Sequence, residues 1–133
     1  MRMSRRFPSA IRDQSGASAA EFALILAPLI MLTLGSINLA AMVYTSSALH
    51  YAVENTARWT AIKATGGAMP SSTALQARGA SVYRGATTNV TFTGVQAACG
   101  IKITGVANYN FTTGLTSNTV PMSATACYPM GTF

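Results

Sequence analysis

The chain is 133 residues long, which leaves room for one small domain beside a membrane segment and argues against a large enzyme core. Its formal charge of +6 would indicate a nucleic-acid partner if the cations formed a stripe with interleaved aromatics. Four of the nine basic residues stand in the first fifteen positions and the others are scattered, so we expect no nucleic-acid binding.

The first sixteen residues form a basic head, in which Arg2, Arg5, Arg6 and Arg12 face the single acid Asp13. Positively charged segments that flank a membrane span stay on the cytoplasmic side. The head therefore predicts a cytoplasmic N-terminus and an exported C-terminal part.

A long apolar run follows over residues 22–44, and none of its side chains is ionisable at neutral pH. As a helix it would reach roughly 34 Å, enough to cross a hydrocarbon core of about 30 Å. Pro28 lies inside this run and removes one backbone hydrogen bond, so we expect a mild kink there.

Two simpler interpretations of this N-terminal region stay open. A secretory signal peptide also begins basic and turns apolar, but its apolar region spans about 7–15 residues and ends in a small-x-small cleavage site. The run here is longer and continues without a break into helix-forming sequence. A signal anchor, inserted and never cut, would need only the basic head and the apolar run.

The residues between the head and the run carry a more specific pattern. Gly16 is followed by four small residues, then by the lone carboxylate Glu21, by Phe22 and by the apolar run. This order resembles the processing site of type IV prepilins. The wider sequence, RRF followed by RDQSG and EFALILAPLIML, resembles the TadE-like pseudopilins (minor pilins) of tight-adherence (Tad) pilus systems. Phe22 departs from the short major pilins of these systems, which commonly carry a tyrosine there.

The resemblance implies roles for three residues. It implies that a prepilin peptidase cuts between Gly16 and Ala17, and that Glu21 then pairs with the freed amine of Ala17 in a neighbouring subunit. An ionised acid at the centre of a span costs about 2.5–3.5 kcal/mol, so such an acid needs a partner or an edge position. The alternative is a Glu21 carboxylate that rests unpaired in the headgroup region, near the positive end of the helix dipole.

The resemblance also implies a location and a function. It places the chain in the bacterial inner membrane as a single-pass protein, with its C-terminal domain in the periplasm or, after assembly, in an extracellular pilus. The expected partners are the prepilin peptidase, the inner membrane and other pilin subunits that pack against the N-terminal helix. The alternative is an uncleaved single-pass membrane protein whose exported domain binds a protein partner.

The helix is expected to continue beyond the membrane to about residue 65. Apolar residues at helical spacing predict a stripe that faces the tail domain, made of Tyr44, Ala48, Tyr51, Trp59 and Ile62. A second stripe predicts a solvated face, made of Ser47, His50, Glu54 and Arg58. Gly66 and Gly67 are expected to end the helix.

The tail predicts a short helix over residues 71–84, with Ser71 or Ser72 as its N-cap. It also predicts strands over residues 88–93, 101–111 and 119–127, the last two joined by a hairpin at residues 112–115. Gly79 weakens the helix prediction. The expected fold is α+β: a long transmembrane helix that extends into a pilin-like domain with a short helix and a three-stranded antiparallel sheet. The expected divisions are a leader (1–16), the helix (17–65) and the exported domain (66–133).

Cys99 and Cys127 both lie in the exported part, where an oxidising compartment lets them pair. One observation resists a simple pairing. Apolar residues of the second strand are odd-numbered, like Cys99, but those of the third are even-numbered, unlike Cys127. Matching the apolar faces would put the cysteines on opposite sides of the sheet. A bulge, or cysteines just outside the paired region, would reconcile the two, and we favour a disulfide.

Convergent catalytic groups are scarce in the tail, which holds one histidine, His50, and no carboxylate after Glu54. No metal-ligand cluster or glycine-rich phosphate loop has motif spacing. We therefore expect no catalytic residues, no metal, no cofactor and no enzymatic activity.

Overall fold

The computed structural model describes residues 14–64, 67–112 and 116–130. It contains two helices and three strands, namely α1 (Gln14–Lys63), α2 (Ser72–Val82), β1 (Val90–Ala97), β2 (Gly100–Thr112) and β3 (Ser117–Tyr128). The strands form one antiparallel sheet in the order β1-β2-β3. This confirms the α+β fold expected from the sequence.

Helix α1 runs unbroken for 50 residues and passes through Pro28. It begins three residues before the predicted start at residue 17, and it ends two residues before the predicted end at residue 65. Gly67 adopts φ +86°, and its N–H donates to the Ala64 carbonyl at 2.9 Å. Glycine at this position therefore lets the chain leave the helix, as predicted. Gly66 lies outside the described residues, and the kink at Pro28 stays a prediction.

Helix α2 begins at the predicted cap, where the Ser71 hydroxyl accepts a hydrogen bond from the Ala74 N–H at 3.3 Å. Gly79, which weakened the helix prediction, is buried inside it, and a Cβ there would overlap the ring of Phe92 on β1. The glycine therefore serves the packing of α2 on the sheet, although it lowers the intrinsic stability of the helix.

Strand β1 begins two residues later and ends four residues further along than predicted. Its extension passes through Gly94, where a Cβ would lie 2.7 Å from Ile103 Cδ1 and 2.9 Å from Leu75 Cδ1. The sequence pattern reads this glycine as a strand end, whereas in the fold it leaves room for two core side chains.

The register between β2 and β3 pairs Ile103 with Ala126 and Gly105 with Ala124. Odd-numbered residues of β2 therefore share a face with even-numbered residues of β3, as the apolar pattern predicted. This face forms the core together with β1, and its most buried members are Val90, Phe92, Ile101, Ile103, Ala107 and Ala124. The predicted hairpin link at residues 113–115 lies outside the described residues.

Cys99 and Cys127 form a disulfide with Cα atoms 6.2 Å apart. Cys127 lies within β3 opposite Lys102, but Cys99 lies in the loop that precedes Gly100, where β2 begins. The second of the two expected solutions therefore holds, because one cysteine stands outside the paired region. Gly100 allows this with φ +119°, and a Cβ there would collide with the Tyr128 carbonyl.

The α2–β1 connection is fixed to α1 by one hydrogen bond, from the Ala86 N–H to the Thr45 hydroxyl at 3.2 Å. Beside it, the Tyr83 hydroxyl is buried without a hydrogen-bond partner among the described residues. Burial raises the pKa of Tyr83 above its ordinary value of 10.0, against a smaller lowering effect of the Thr87 backbone. The phenol is therefore a neutral part of the core at physiological pH.

The close approach of α2 to the sheet predicts the effect of Gly79→Ala. Alanine is the better helix former by about 1 kcal/mol, but overlap with the Phe92 ring costs up to about 3 kcal/mol. We expect a net loss of about 2 kcal/mol, which lowers the unfolding midpoint of the full-length protein in detergent by about 10 °C. The fluorescence of Trp59, the single tryptophan, reports it.

Gly35→Ala is the matched control, because no atom lies within 4 Å of a Cβ at that position. It gains the same helix propensity without an overlap, so its midpoint should equal or slightly exceed that of the unchanged protein. A midpoint for Gly79→Ala at or above that of Gly35→Ala would show that α2 does not need this close contact.

Candidate functional site

The first half of α1 carries large apolar side chains that nothing in the described chain covers. Over residues 16–34 every residue is exposed, and the exposed fraction reaches 76% at Leu24 and 73% at Leu32. The exposed side chains lie on all sides of the helix: Phe22, Leu24, Ile25, Leu26, Leu29, Ile30, Met31, Leu32, Leu34 and Ile37. An apolar surface of this extent is unstable in water and marks a contact with lipid or protein.

Within the described residues, α1 is the single helix that has the length and composition to cross a membrane. Its few polar side chains are compatible with lipid. The Thr33 hydroxyl donates to the Ile30 carbonyl at 2.8 Å, and the Ser36 hydroxyl donates to the Thr33 carbonyl at 2.9 Å. Hydroxyls that bond to their own helix leave no unsatisfied polar group in the hydrocarbon.

The residues implied by the prepilin resemblance lie together at the start of α1. Gly16, Ala17, Glu21 and Phe22 are all helical and exposed, and Phe22 exposes 66% of its surface. A Cβ at Gly16 would meet no atom within 4 Å. Glu21 has no hydrogen-bond or ion-pair partner among the described residues. The structure thus places the carboxylate on the uncovered first half of α1 (residues 16–37, called the bare half below). A partner for it must come from outside the described chain.

The second half of α1 packs on the sheet, but not with the predicted face. The stripe expected to meet the tail is wrong in its main members, because Tyr44, Tyr51 and Ile62 are 56%, 61% and 63% exposed. Ala48 and Trp59 are half-buried at its margin. The buried face consists instead of small and medium side chains: Thr45, Leu49, Ala52, Val53, Thr56, Ala57, Thr60 and Ala61.

Threonine makes this buried face possible. The hydroxyls of Thr45, Thr56 and Thr60 each donate to the carbonyl four residues earlier at 2.7 Å, so each buried hydroxyl is satisfied within the helix. The signal available in the sequence was the recurrence of small residues at helical spacing through residues 45–61. The larger aromatic residues on the neighbouring stripe obscured it.

The predicted solvated face is exposed at Ser47, His50, Glu54 and Arg58, as expected. Tyr51, Glu54 and Arg58 line an open groove of about 590 Å³ against the end of β3 at Tyr128. No group of three or more histidine, cysteine or acidic side chains in the described part of the chain has a geometry that suits a metal ion.

The structure therefore defines a class of protein: a single apolar helix, bare over its first half, leads without a break into a small α+β domain. That architecture fits a single-pass membrane protein.

A comparison with known protein families is consistent with this class. Residues 16–58 match the model of the family described as TadE-like protein, a match that covers about a third of the chain and includes Gly16, Glu21 and the bare helix. The match confirms the TadE-like resemblance of this segment, and the TadE-like family suggests a minor pilin related to the Tad pilus that interacts with other pilus components. No curated protein and no solved structure matches the chain.

If the bare half of α1 spans the membrane, charges placed in it should prevent membrane integration, whereas charges at similarly exposed positions further along α1 should not. Replacing Leu29 and Leu32 together by arginine would place two charges in the hydrocarbon core, at a cost of about 6–8 kcal/mol. We expect this variant to lose the membrane-integrated pool that resists alkaline extraction.

The matched control replaces Tyr51 and Ile62 by arginine, because these residues are similarly exposed but lie on the half of α1 that packs on the sheet. The control should stay integrated. Equal extraction of both variants would show that the first half of α1 does not span the membrane.

Proposed function

We propose that the chain is a structural minor pilin, or pseudopilin, that contributes to the assembly of a Tad-type pilus. It is made with a basic leader (residues 1–16), which a prepilin peptidase removes between Gly16 and Ala17. Helix α1 then holds it in the bacterial inner membrane, with the C-terminal domain (residues 66–133) in the periplasm. The bare apolar half of α1, inside the segment that matches the TadE-like family, is the observation that carries this proposal.

The exposure of α1 beyond the bare half supports assembly over simple anchoring. Tyr51 and Ile62 stand 14 and 25 residues after Ile37, which is about 21 and 38 Å further along the helix. Lipid that surrounds the bare half does not reach these side chains. A neighbouring subunit whose helix lies alongside α1 covers both the side chains of the bare half and the exposed Tyr51 and Ile62.

Charge explains why Glu21 belongs in such an interface. Helices that associate in lipid gain no hydrophobic driving force, because lipid tails are as apolar as leucine. An acid at the start of α1 gains instead from a cation that a neighbour supplies. Cleavage before Ala17 creates a positive amine four residues from Glu21, about 6 Å along the helix axis. The proposed pair joins the Glu21 carboxylate of one subunit to the Ala17 amine of the next.

The mature N-terminus tests the processing step. Protein purified from membranes should begin at Ala17 when prepilin peptidase is present and should keep its leader when the enzyme is deleted, as intact-mass spectrometry shows. Gly16→Val should block cleavage, because the enzyme cuts after the glycine in this resemblance. Ala19→Val, the same enlargement three residues on, should be cut normally. An intact leader in every sample would instead identify an uncleaved single-pass protein.

The charge pair predicts that Glu21→Ala blocks assembly without blocking insertion. A photoreactive phenylalanine analogue at Leu24, which is 76% exposed, would report contacts between α1 and neighbouring subunits. Loss of a pair worth about 2–3 kcal/mol should reduce cross-links to other pilins by roughly thirtyfold or more, while the membrane-bound amount stays constant.

Glu54→Ala is the matched control, since Glu54 is an exposed acid on the same helix but outside the bare half. Its cross-links should equal those of the unchanged protein, and Glu21→Asp should restore a part of the lost signal. Equal cross-linking in Glu21→Ala and Glu54→Ala would refute the charge pair.

A further inference from the structure

The sheet meets α1 at a definite level along the helix. The Tyr109 hydroxyl on β2 donates to the Asn38 carbonyl on α1 at 3.3 Å. Further along the helix, Gly105 faces Leu49 and Val53, where a Cβ would lie 2.6 Å from Val53 Cγ2. Strand β2 therefore runs back along α1 toward the bare half, and its last residues, from Tyr109 to Thr112, form the end of the sheet nearest to it.

This contact shortens the helix available to the membrane. The apolar run predicted from the sequence extends to Tyr44, but from Asn38 onward α1 is partly covered by the tail domain. The free apolar part, residues 22–37, reaches roughly 24 Å. A hydrocarbon core is about 30 Å thick, so this part alone falls short by about 6 Å.

The deficit closes if the span includes the small residues that precede Phe22 together with Glu21, whose charge is compensated by the proposed pair with an Ala17 amine. Residues 17–37 reach about 31 Å, which matches the hydrocarbon core. The outer boundary of the core then falls at Ile37. The headgroup layer beyond it is about 5–7 Å thick, so it begins where Tyr109 contacts Asn38.

We propose that the end of the sheet nearest the bare helix rests in the outer headgroup layer of the membrane. This surface, the proximal sheet end, consists of residues 109–112 of β2 and 117–120 of β3, which pair with each other. The inference rests on the proposed membrane span. It adds a second surface, beside the bare half of α1, through which the protein contacts lipid.

The chemistry of the proximal sheet end suits headgroups. None of its residues is charged, and its exposed members are polar: Asn110, Thr112, Ser117, Asn118 and Thr119. The Thr119 hydroxyl donates to the Asn110 side-chain oxygen at 3.0 Å, which leaves further donors and acceptors for lipid. The half-buried ring of Phe111 adds an aromatic side chain of the kind that membrane proteins concentrate at this level.

The opposite end of the sheet differs. There the exposed residues include the cation Lys102, which pairs with Val95, and Val95 itself is 56% exposed. Position 95 is nine residue pairs from position 111 along the sheet, a distance of about 30 Å, so it lies well outside a headgroup layer of about 5–7 Å. The two ends of one sheet therefore provide a test site and a control.

The test places single tryptophans in the full-length protein with Trp59→Phe, reconstituted in phosphatidylcholine vesicles. Phe111→Trp and Asn118→Trp probe the proximal sheet end, and Val95→Trp probes the opposite end. Asn118 is exposed and needs no core space, so it answers the question even if Phe111→Trp disturbs packing. The quenchers are a phosphatidylcholine with a nitroxide near its headgroup, and iodide on both sides of the membrane.

The expected result is that the shallow nitroxide quenches tryptophan at positions 111 and 118 roughly twofold or more above position 95, with the reverse order for iodide. Quenching by iodide alone would overturn the proposal, since it would show the proximal sheet end in water. Protection from both quenchers would also overturn it, since protein would then cover this surface.

A fourth variant, Leu29→Trp, separates this inference from the proposed function. Leu29 lies in the bare half, so a nitroxide near the end of the acyl chain should quench tryptophan there. Strong quenching at position 29 without shallow quenching at 111 and 118 would leave the membrane span intact and reject only the contact of the sheet with headgroups. No quenching at position 29 would reject the span, and the sheet contact with it.

Discussion

The constraint on which the structure depends is the absence of any cover for the first half of α1. A helix whose large apolar side chains are 37–76% exposed on all sides is not stable in water, so lipid or other helices must surround it. The tail domain leaves this half uncovered, since every residue from 16 to 34 is exposed, and the Tyr109 hydroxyl of the sheet contacts α1 only at Asn38. Helix α1 therefore carries large apolar residues on every side before Asn38. From Thr45 onward it has one buried face of small and medium-sized residues.

The small residues of the second half set the geometry of the domain. Threonines that bond to their own helix backbone and alanines make up much of the buried face. The sheet approaches this face so closely that a Cβ at Gly105 would lie 2.6 Å from Val53 Cγ2 and 3.0 Å from Leu49 Cδ1. The same device recurs at Gly79, which brings α2 against Phe92. On the outer side of β1, the Gln76 side chain accepts from the Phe92 N–H at 2.7 Å and donates to the Val90 carbonyl at 2.8 Å. Helix α2 thus occupies one edge of the sheet, and Pro121 stands on the other.

The sequence predicted most of the elements because local patterns determine them: an apolar run, a serine cap before α2, and alternation in β2 and β3. The parity of the apolar residues also predicted the register of β2 and β3, and it required either a bulge or a cysteine outside the ladder, of which the structure has the second. The face of α1 was wrong, because hydrophobicity favours Tyr44, Tyr51 and Ile62, whereas close packing selects threonine and alanine. The strand end at Gly94 was wrong for a related reason, since space for Leu75 depends on tertiary contacts. At the candidate site the family resemblance over residues 16–58 was confirmed, whereas the roles of Gly16 and Glu21 stay proposals.

The attachment of the domain to α1 has a consequence for assembly. The Tyr109–Asn38 and Ala86–Thr45 hydrogen bonds and the buried threonine face join the tail to the helix along much of its second half. A subunit that leaves the membrane for a fibre therefore carries its domain along with the helix. In that transfer its bare side chains exchange lipid for neighbouring helices, an exchange that yields little free energy because both surroundings are apolar. The preference for the fibre must then come from polar contacts that lipid does not offer. On the bare half of α1 the charged group that meets this requirement is the Glu21 carboxylate, which has no partner among the described residues.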